Sequence, residues 1–533
     1  MTSIAKNRKQ TSLSASAGLL MAAKTLAYVI SFALPLLLAR RLSLADYGLY
    51  RQAFLIVGSA LGLLPLAIDM SVYYFLPREQ EIERRGAIVI NVMLFNTAVG
   101  SLVLLAFTFC PQLLVGLVGS YDLITHAPLI GLVVLLWVSS AFLEIVMLAN
   151  QEAKLATAVI IVSQLSKTTL LLGAVLIFGT VRSLIIAAVI QGVLQLVILL
   201  RYLRLRFGAF WRRFSASMLR RQLAYSLPVG GASLLYTLLV DMHNYFVSRS
   251  FGAATYAVYS VGCLTVPLIG IIGESVASVM IPHVSHLQNR GDKRGIIEVT
   301  ARAMRKLALV YFPAYACLLV LGREFITFLF TERFAASYSI FAVNLTLILP
   351  LVIMTDPVFR AYYEHRFFKL KLLAVMIPTL FGTLWVGARF GDSMTVISAT
   401  VMFTLLYRLG ETWKAWGILG VKWYDIVLIK DVGKIAIAAA IAGLITFIAR
   451  QEMVPFELRP FWMLCGGAVV FGIVYIFALF GMKVATEEER ERMGGHLAGA
   501  ERPMWRVCVR ALWLLCAAGA IVGIVYLMRR GRV

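Results

Sequence analysis

Long apolar stretches, separated by short polar segments, recur along the whole chain. A helix needs about 20 apolar residues to cross the hydrocarbon core of a bilayer, and most of these stretches reach that length. The pattern therefore predicts an all-α polytopic membrane protein with about fourteen or fifteen transmembrane helices. The predicted spans are 13–38, 50–76, 86–108, 126–149, 154–178, 182–201, 222–248, 255–285, 300–322, 337–359, 368–388, 394–416, 432–449, 460–481 and 508–528.

Composition supports a membrane protein. Of 533 residues, 60% are hydrophobic and only 14% are charged, whereas a soluble domain has about 25% charged residues. The net charge of +23 would suit nucleic acid, but most lysines and arginines fall in alternate loops, as the positive-inside rule requires of cytoplasmic loops. We therefore predict a cytoplasmic N-terminus, which carries Lys6, Arg8 and Lys9, and no nucleic-acid partner.

Two stretches of the chain match each other at a fixed separation of 209 residues. Leu38–Tyr50 falls on Val247–Tyr259, and the same shift takes residues 83–86 onto residues 292–295. The identical pairs in the first match are Arg40 and Arg249, Ala45 and Ala254, Tyr47 and Tyr256, and Tyr50 and Tyr259. Because six crossings return a chain to the same side, this repeat predicts two pseudo-symmetric six-helix lobes of like orientation, helices 1–6 and 7–12.

The repeat also predicts the domain boundaries. They are a cytoplasmic tail at 1–12, an N-lobe at 13–201, a basic cytoplasmic linker at 202–221, a C-lobe at 222–416, and C-terminal extra helices at 417–533. Arginine and aromatic residues alternate in the linker, which fits an amphipathic helix on an anionic leaflet or a plain loop.

Polar residues form stripes on helices 1, 2, 7 and 8. A charge near the bilayer centre costs about 2.5–3.5 kcal/mol and normally faces a cavity or a partner. The clearest stripe, on helix 7, is Gly230, Ser233, Thr237, Asp241 and Asn244, which share one helical face. Together the stripes favour a central cavity between the lobes, with interhelical hydrogen bonds and ion pairs as the alternative. The residues predicted to line this cavity and bind substrate are Lys24, Tyr28, Asp69, Tyr73, Lys167, Tyr236, Thr237, Asp241, His243, Asn244 and Glu274.

Two blocks carry a resemblance to a known family. They are ARRLSLADYGLYRQAFLIV at 39–57 and YSLPVGGASLLYTLLVDMHNYFVSRSFGAATYAVYSV at 225–261. Both resemble the polysaccharide transporter branch of the multidrug/oligosaccharidyl-lipid/polysaccharide (MOP) exporters, and the likeness covers about residues 13–420.

The resemblance implies an O-antigen-type flippase. Such a protein moves a polyprenyl-pyrophosphate-linked oligosaccharide, the repeat unit of an O-antigen, capsule or exopolysaccharide, from the inner to the outer leaflet of the bacterial cytoplasmic membrane. Lys24 and Lys167 could then hold the pyrophosphate, while Tyr28, Tyr73 and Tyr236 could stack on sugars. The expected partners are membrane lipids, a polysaccharide polymerase with its chain-length machinery, and H⁺ or Na⁺ as a coupling ion.

Alternatives remain open at this point. An ion-coupled multidrug antiporter of the same superfamily would use Asp69, Glu144, Asp241 and Glu274 to bind cations, and a lipid II flippase is a closer variant. A membrane enzyme would need catalytic groups in an outer loop, but the predicted outer loops are short and lack paired acids or a metal cluster. The scattered cysteines have no CxxC spacing, so we expect no metal and no cofactor.

Overall fold

The computed structural model describes residues 30–362, 367–454 and 459–482, together with Leu26 and Val484. All regular elements in these ranges are helical, which confirms the predicted all-α class. The α-helices are α1 (30–41), α2 (Leu44–Leu63), α3 (Ile68–Phe75), α4 (Ile82–Phe109), α5 (Gln112–Val118), α6 (Ala127–Ser140), α7 (Leu143–Ala149), α8 (Ala153–Ile177), α9 (Val181–Phe207), α10 (Ala216–Gly262), α11 (Pro267–Asn289), α12 (Lys293–Phe330), α13 (Ser337–Leu345), α14 (Asp356–Ala361), α15 (Phe368–Phe390), α16 (Ser393–Leu419), α17 (Lys430–Met453) and α18 (Pro460–Gly481).

Nine helical segments within the described residues are long and apolar enough to cross a membrane, or ten if the bent pair of α2 and α3 is one span. This number is below the predicted fourteen or fifteen for identifiable reasons. The first predicted span lies mostly, and the span at 508–528 entirely, outside the described residues. α10 and α11, which carry the polar stripes, are not among these nine. The predicted span 337–359 is broken into α13, a 3-10 helix at Thr346–Val352, and α14.

Helix breaks explain where the predicted boundaries moved. Pro65 lies in the turn between α2 and α3, where Leu66 and Ala67 have positive φ, and the two helices meet at 41°. Pro267 lies inside the predicted span 255–285, but it begins α11 as its first residue, a position that needs no backbone N–H. The predicted span 255–285 is therefore two helical pieces.

The described helices gather into two compact units. The first, unit 1, contains the chain up to Val261 together with 367–404, and the second, unit 2, contains 262–366 and the chain from Leu405 onward. In unit 1, one apolar cluster joins α3, α4, α7 and α9, and another joins α2, α6 and α9. These two units are not the two lobes predicted from the repeat, and the lobe boundaries stay predictions.

The repeat has a structural counterpart. In the first copy, helix α1 ends and Ser43 caps α2. In the second copy the equivalent residue is Gly252, whose φ of 79° interrupts α10. The matched tyrosines Tyr47, Tyr50, Tyr256 and Tyr259 are all buried. The two matched stretches thus fold alike, as a helix, a break and a second helix.

The basic linker is not a separate amphipathic helix. α9 continues to Phe207, a 3-10 helix covers Phe210–Arg212, and α10 begins at Ala216. Phe207 and Phe210 are buried in the apolar cluster of unit 1. Three of the five aromatic residues of the linker, Tyr202, Phe207 and Phe210, are therefore packed onto unit 1. The alternation of basic and aromatic residues did not distinguish this packing from membrane contact.

Candidate functional site

The polar stripe of α10 faces α2, and both helices belong to unit 1. Gly230 lies so close to the carbonyl of Leu66 that a Cβ atom would be 2.5 Å from its oxygen. Farther along, Thr237 lies opposite Gly62, with its methyl carbon 3.6 Å from where a Cβ would be. We call this antiparallel contact the α2/α10 seam. It places small residues where backbones approach closely, as is typical of helix pairs in membranes.

Asp241 lies in the middle of the seam. It is one helical turn from Thr237 and one turn from Tyr245, which lies beside Ser59 of α2. Asp241, Thr237 and Asn244 are all half-buried. This intermediate exposure shows that the carboxylate is neither sealed inside the unit nor fully open.

Two of the predicted tyrosines are exposed. Tyr236 of α10 is 42% exposed and Tyr73 of α3 is 41% exposed. A Cβ atom on Gly58 of α2 or on Gly231 of α10 would meet no atom within 4 Å. These exposed faces leave space for a ligand or for lipid.

Asp69 is buried beside α4. The amide nitrogen of Asn96 donates to its Oδ1 at 2.9 Å, and both side chains are buried. The stripe on helix 2 predicted that Asp69 faces the interior, but Asn96 was not predicted. An amide in an apolar run was the available signal, since a buried polar group needs a partner.

Lys167 of α8 lies over an aromatic ring. Its Nζ is 4.4 Å from the centre of the ring of Trp137. The indole nitrogen of Trp137 donates in turn to the carbonyl oxygen of Ala188 at 3.1 Å. A cation on the face of an aromatic ring is attracted by that ring, so Trp137 stabilises the charge of Lys167.

The other predicted site residues lie elsewhere. His243 is buried away from the seam, with its Nδ1 hydrogen-bonded to the hydroxyl of Tyr259 at 2.7 Å. Glu274 is exposed on α11, in unit 2. Lys24 and Tyr28 lie outside the described residues. Unit 1 thus contains Asp69, Tyr73, Lys167 and the α10 residues of the predicted set.

A buried polar network, not predicted from the sequence, closes the seam toward the start of α2, and we call it the Gln52 network. The Nε2 of Gln52 donates to the hydroxyl of Ser248 at 2.9 Å and to the carbonyl of Val118 at 3.2 Å. Ser120 donates to the Oε1 of Gln52 at 2.6 Å. Gln52 and Ser248 are fully buried, so this end of the seam is sealed.

A second network holds the other end of α10. The Nε2 of Gln222 donates to the hydroxyl of Ser71 at 3.0 Å, and its Oε1 accepts from Asn91 at 3.2 Å. Asn91 also donates to the carbonyl of Ser215 at 2.9 Å. Neutral amides and hydroxyls make up both networks, whereas the ionisable residues lie between them. The two networks fix the ends of the seam, and the stretch between them can hold a charged or polar group.

A family comparison bears on this site. The profile of the family described as "Polysaccharide biosynthesis protein" matches residues 37–339, which include α2, α3 and all of α10. The chain belongs to this family. The match confirms the resemblance to the polysaccharide transporter branch that the sequence blocks carried. Among curated proteins, none matches the sequence.

Solved structures share the fold of this family member. A lipid II flippase MurJ in an inward closed conformation matches with a TM-score of 0.67 at 15% identity, over 86% of this chain and 97% of that chain. An inward-facing multidrug resistance transporter of the MATE family, in the MOP superfamily, matches with a TM-score of 0.56 at 14% identity, over 74% of this chain and 94% of that chain. A MOP superfamily transporter from Pyrococcus furiosus matches with a TM-score of 0.52 at 14% identity, over 76% of this chain and 94% of that chain. The chain is a multi-pass membrane protein with the MOP fold.

Proposed function

We propose that this protein is a flippase for a polyprenyl-pyrophosphate-linked oligosaccharide. It would move the repeat unit of a surface polysaccharide from the inner to the outer leaflet of a bacterial cytoplasmic membrane, with its N-terminus in the cytoplasm. The observation that carries the proposal is the family match, because it names polysaccharide biosynthesis and spans the α2/α10 seam. The proposal includes a polysaccharide polymerase and its chain-length machinery as partners of this protein.

The substrate sets three physical demands on a carrier. Its pyrophosphate is rejected by hydrocarbon, its glycan needs polar contacts, and its long tail needs an apolar path. Half-buried polar residues such as Thr237, Asp241 and Asn244 supply polar contacts at membrane depth. Lys167 supplies a positive charge for the pyrophosphate, and exposed Tyr73 and Tyr236 supply faces for sugars. Lys24 and Tyr28 are proposed for the same roles.

An apolar groove in unit 2 suits the tail. It has a volume of about 780 Å³ and runs between α12, α17 and the 3-10 helix at Thr346–Val352. Alanines and Gly443 form much of its floor, with Tyr315 and Phe447 at its sides. Small apolar residues admit a chain without offering it polar groups. The groove would let the tail stay apolar while the head is moved.

Acidic residues favour a coupling ion in this mechanism. Asp69 is buried with one amide partner, and Asp241 is half-buried. A carboxylate within the membrane is costly unless it binds a cation or a proton. We therefore assign H⁺ or Na⁺ binding to these two carboxylates, with alternating access of the lobes as the transport step.

Reconstituted liposomes test the proposal directly. Purified protein should translocate a fluorescent polyprenyl-pyrophosphate-linked oligosaccharide, and K167Q should slow this at least tenfold, because the pyrophosphate loses its cation. The matched control is K154Q, which removes an exposed lysine from the same helix. The absence of protein-dependent movement of the substrate would contradict the proposal, and normal transport by K167Q would contradict the role of Lys167.

The same liposomes separate the alternatives. The shared fold of the lipid II flippase favours lipid II as the second candidate substrate. Movement of lipid II without movement of the oligosaccharide carrier would replace the proposed function with that one. Uptake of cationic dyes driven by an ion gradient, with neither lipid moved, would replace it with multidrug antiport.

A further inference from the structure

A basic cleft opens in unit 1 at the start of α10, near the hydrogen bonds that Gln222 makes with Ser71 and Asn91. Its volume is about 790 Å³, and it lies between the start of α4 and the segment that joins α9 to α10. Four arginines and two glutamates line it: Arg84, Arg212, Arg213, Arg221, Glu79 and Glu83. The arginines outnumber the acids, so the cleft attracts anions.

The arginines of the cleft are not equivalent. Arg84 is already paired with Glu81, at 2.9 Å. Arg213 donates to the carbonyl oxygen of Ile82. Arg212 and Arg221 are exposed, and neither has a partner among the described residues. Two guanidinium groups are therefore available to an anion from outside the chain.

The walls of the cleft are fixed. Asn91 holds the carbonyl of Ser215 at 2.9 Å, which anchors the joining segment to α4. Gly86 leaves space for Arg213, because a Cβ there would come within 2.6 Å of the Cδ of that arginine. The available arginines consequently project from an ordered frame and need little ordering to bind.

Aromatic side chains mark the depth of the cleft in the membrane. Trp211 is 49% exposed and Phe214 is 53% exposed, and Phe214 lines the cleft. Exposed tryptophan and phenylalanine beside arginine are typical of the interface between lipid headgroups and acyl chains. A soluble anion would gain nothing from these rings, whereas a lipid would contact both the rings and the guanidinium groups.

We propose that this cleft binds the phosphate headgroup of an anionic phospholipid of the surrounding bilayer. Arg212 and Arg221 hold the phosphate oxygens, and Trp211 and Phe214 contact the upper acyl chains. The segment that joins α9 to α10 is thereby tied to one leaflet, the cytoplasmic one if the predicted topology holds. The proposal concerns binding alone, so it stands or falls independently of the transported substrate.

Lipid binding to the purified full chain tests the site. In neutral detergent, phosphatidylglycerol binding is measured by native mass spectrometry, with phosphatidylcholine as the uncharged reference. R212Q/R221Q should weaken phosphatidylglycerol binding about tenfold or more, since each arginine near an anionic surface contributes about 1 kcal/mol. The matched control R220Q/R290Q removes two exposed arginines outside the cleft and should change binding less than twofold.

Further arms separate the sources of phosphate. Inorganic phosphate or pyrophosphate should not displace the lipid at millimolar concentration, and W211A should weaken lipid binding but leave the fold intact. Equal losses in both double variants, or no loss in R212Q/R221Q, would overturn the proposal. It would also be overturned if inorganic phosphate displaced the lipid, or if a polyprenyl diphosphate bound this cleft in preference to phosphatidylglycerol.

Discussion

Gly48 lies against the backbone of Ala253, where the two matched stretches of the repeat meet. A Cβ atom on Gly48 would be 1.9 Å from the carbonyl oxygen and 2.5 Å from the carbonyl carbon of Ala253. These are backbone atoms, so neither can move aside as a flexible side chain would. Glycine is required here by close approach and not by its backbone angles.

Gly48→Ala should therefore be strongly destabilising. We expect a loss of about 3 kcal/mol, the upper end of the range found when a core contact is overpacked and the backbone must shift. Thermal unfolding in detergent measures it. Gly58→Ala is the control, because a Cβ there meets nothing within 4 Å, and alanine favours a helix over glycine. Equal unfolding temperatures for the two variants would contradict the account of this contact.

The buried pair of Asp69 and Asn96 makes a second prediction. Asp69→Ala removes the acceptor of the amide of Asn96 and should cost about 1–3 kcal/mol, because a buried donor is left unsatisfied. Asp69→Asn retains an acceptor oxygen and should cost less. Unfolding of both variants in detergent compares them, and an equal loss would show that the hydrogen bond contributes little.

For single residues, the sequence predicts which face of a helix a side chain lies on better than it predicts which residue that side chain contacts. The spacing of Asp241, Thr237 and Gly230 indicated one face of a helix, and the structure turns that face toward α2. Helical periodicity carries no information about which helix lies opposite. For that reason Asn96 and Gln52 were missed, as was the bond that holds His243 away from the seam.

Among the elements, α16 begins with a titratable cap. The carboxylate of Asp392 accepts a hydrogen bond from the backbone N–H of Thr395 at 2.8 Å and another from its hydroxyl at 2.9 Å. These two hydrogen bonds lower the pKa of Asp392 below its ordinary value of 3.8, and the bond from the backbone N–H has the larger effect. A lowered pKa in the folded state means that the cap stabilises above pH 3.8 and that this stability is lost as the pH falls through the folded pKa.

Asp392→Ala should then lower stability near neutral pH by about 1 kcal/mol. The difference from the unchanged protein should shrink at a pH below 3.8, as the carboxylate becomes protonated. Asp392→Asn is the control, since asparagine caps helices without titrating. Unfolding measured at both pH values tests this, and a difference that persists unchanged in acid would contradict the assignment.

A buried ion pair joins α12 to α17 within unit 2. The Nη2 and Nε of Arg450 lie 2.6 and 2.8 Å from Oε1 of Glu324, and Glu324 is buried. Arg450→Met should cost about 3–5 kcal/mol, because it leaves a buried carboxylate unpaired. The double variant E324L/R450M should recover most of that loss. A double-mutant cycle by chemical unfolding measures the coupling, and additive losses would show that the pair is not coupled.

The sequence predicted several helices to within a few residues. The spans 154–178, 368–388 and 460–481 match α8, α15 and α18, because long uninterrupted apolar runs specify both the element and its length. The span 337–359 is broken, and the basic linker does not form the amphipathic helix that was one of its two predicted forms. In both, the outcome depended on tertiary packing, such as the burial of Phe207 and Phe210, which local pattern does not record.

For the whole molecule, the Gln52 network makes a prediction about transport, which rests on the proposed function. If the protein works by alternating access, the contact between Gln52 and Ser248 must open in part of the cycle. In a cysteine-free background, Q52C/S248C joined by a short thiol-reactive cross-linker should abolish transport in liposomes. Cleavage of a reducible linker should restore it.

The single variant Q52C, treated with the same reagent, is the control and should retain transport. Full transport by the cross-linked double variant would mean that this end of the seam stays closed throughout the cycle. The network would then be a permanent structural contact. Transport that fails in the single variant would point instead to the loss of the hydrogen bonds of Gln52.

The fold as a whole was predicted through the repeat and the family resemblance, not through single residues. The helix is interrupted at Ser43 in the first copy and at Gly252 in the second, and buried tyrosines follow the break in both copies, so the repeat was detectable. The polar networks were invisible to that comparison, since Gln52 is buried opposite Ser248 on another helix and has no matched glutamine in the second copy.

The interruption at Gly252 has a consequence for the thickness of the bilayer. An unbroken helix of the 47 residues of α10 would be about 70 Å long, more than twice the roughly 30 Å of hydrocarbon that it crosses. Without a change of direction, its far end would extend well into water and would expose apolar side chains to it. By adopting a positive φ, Gly252 therefore divides this stretch into two helices, and the second can take a different direction from the first.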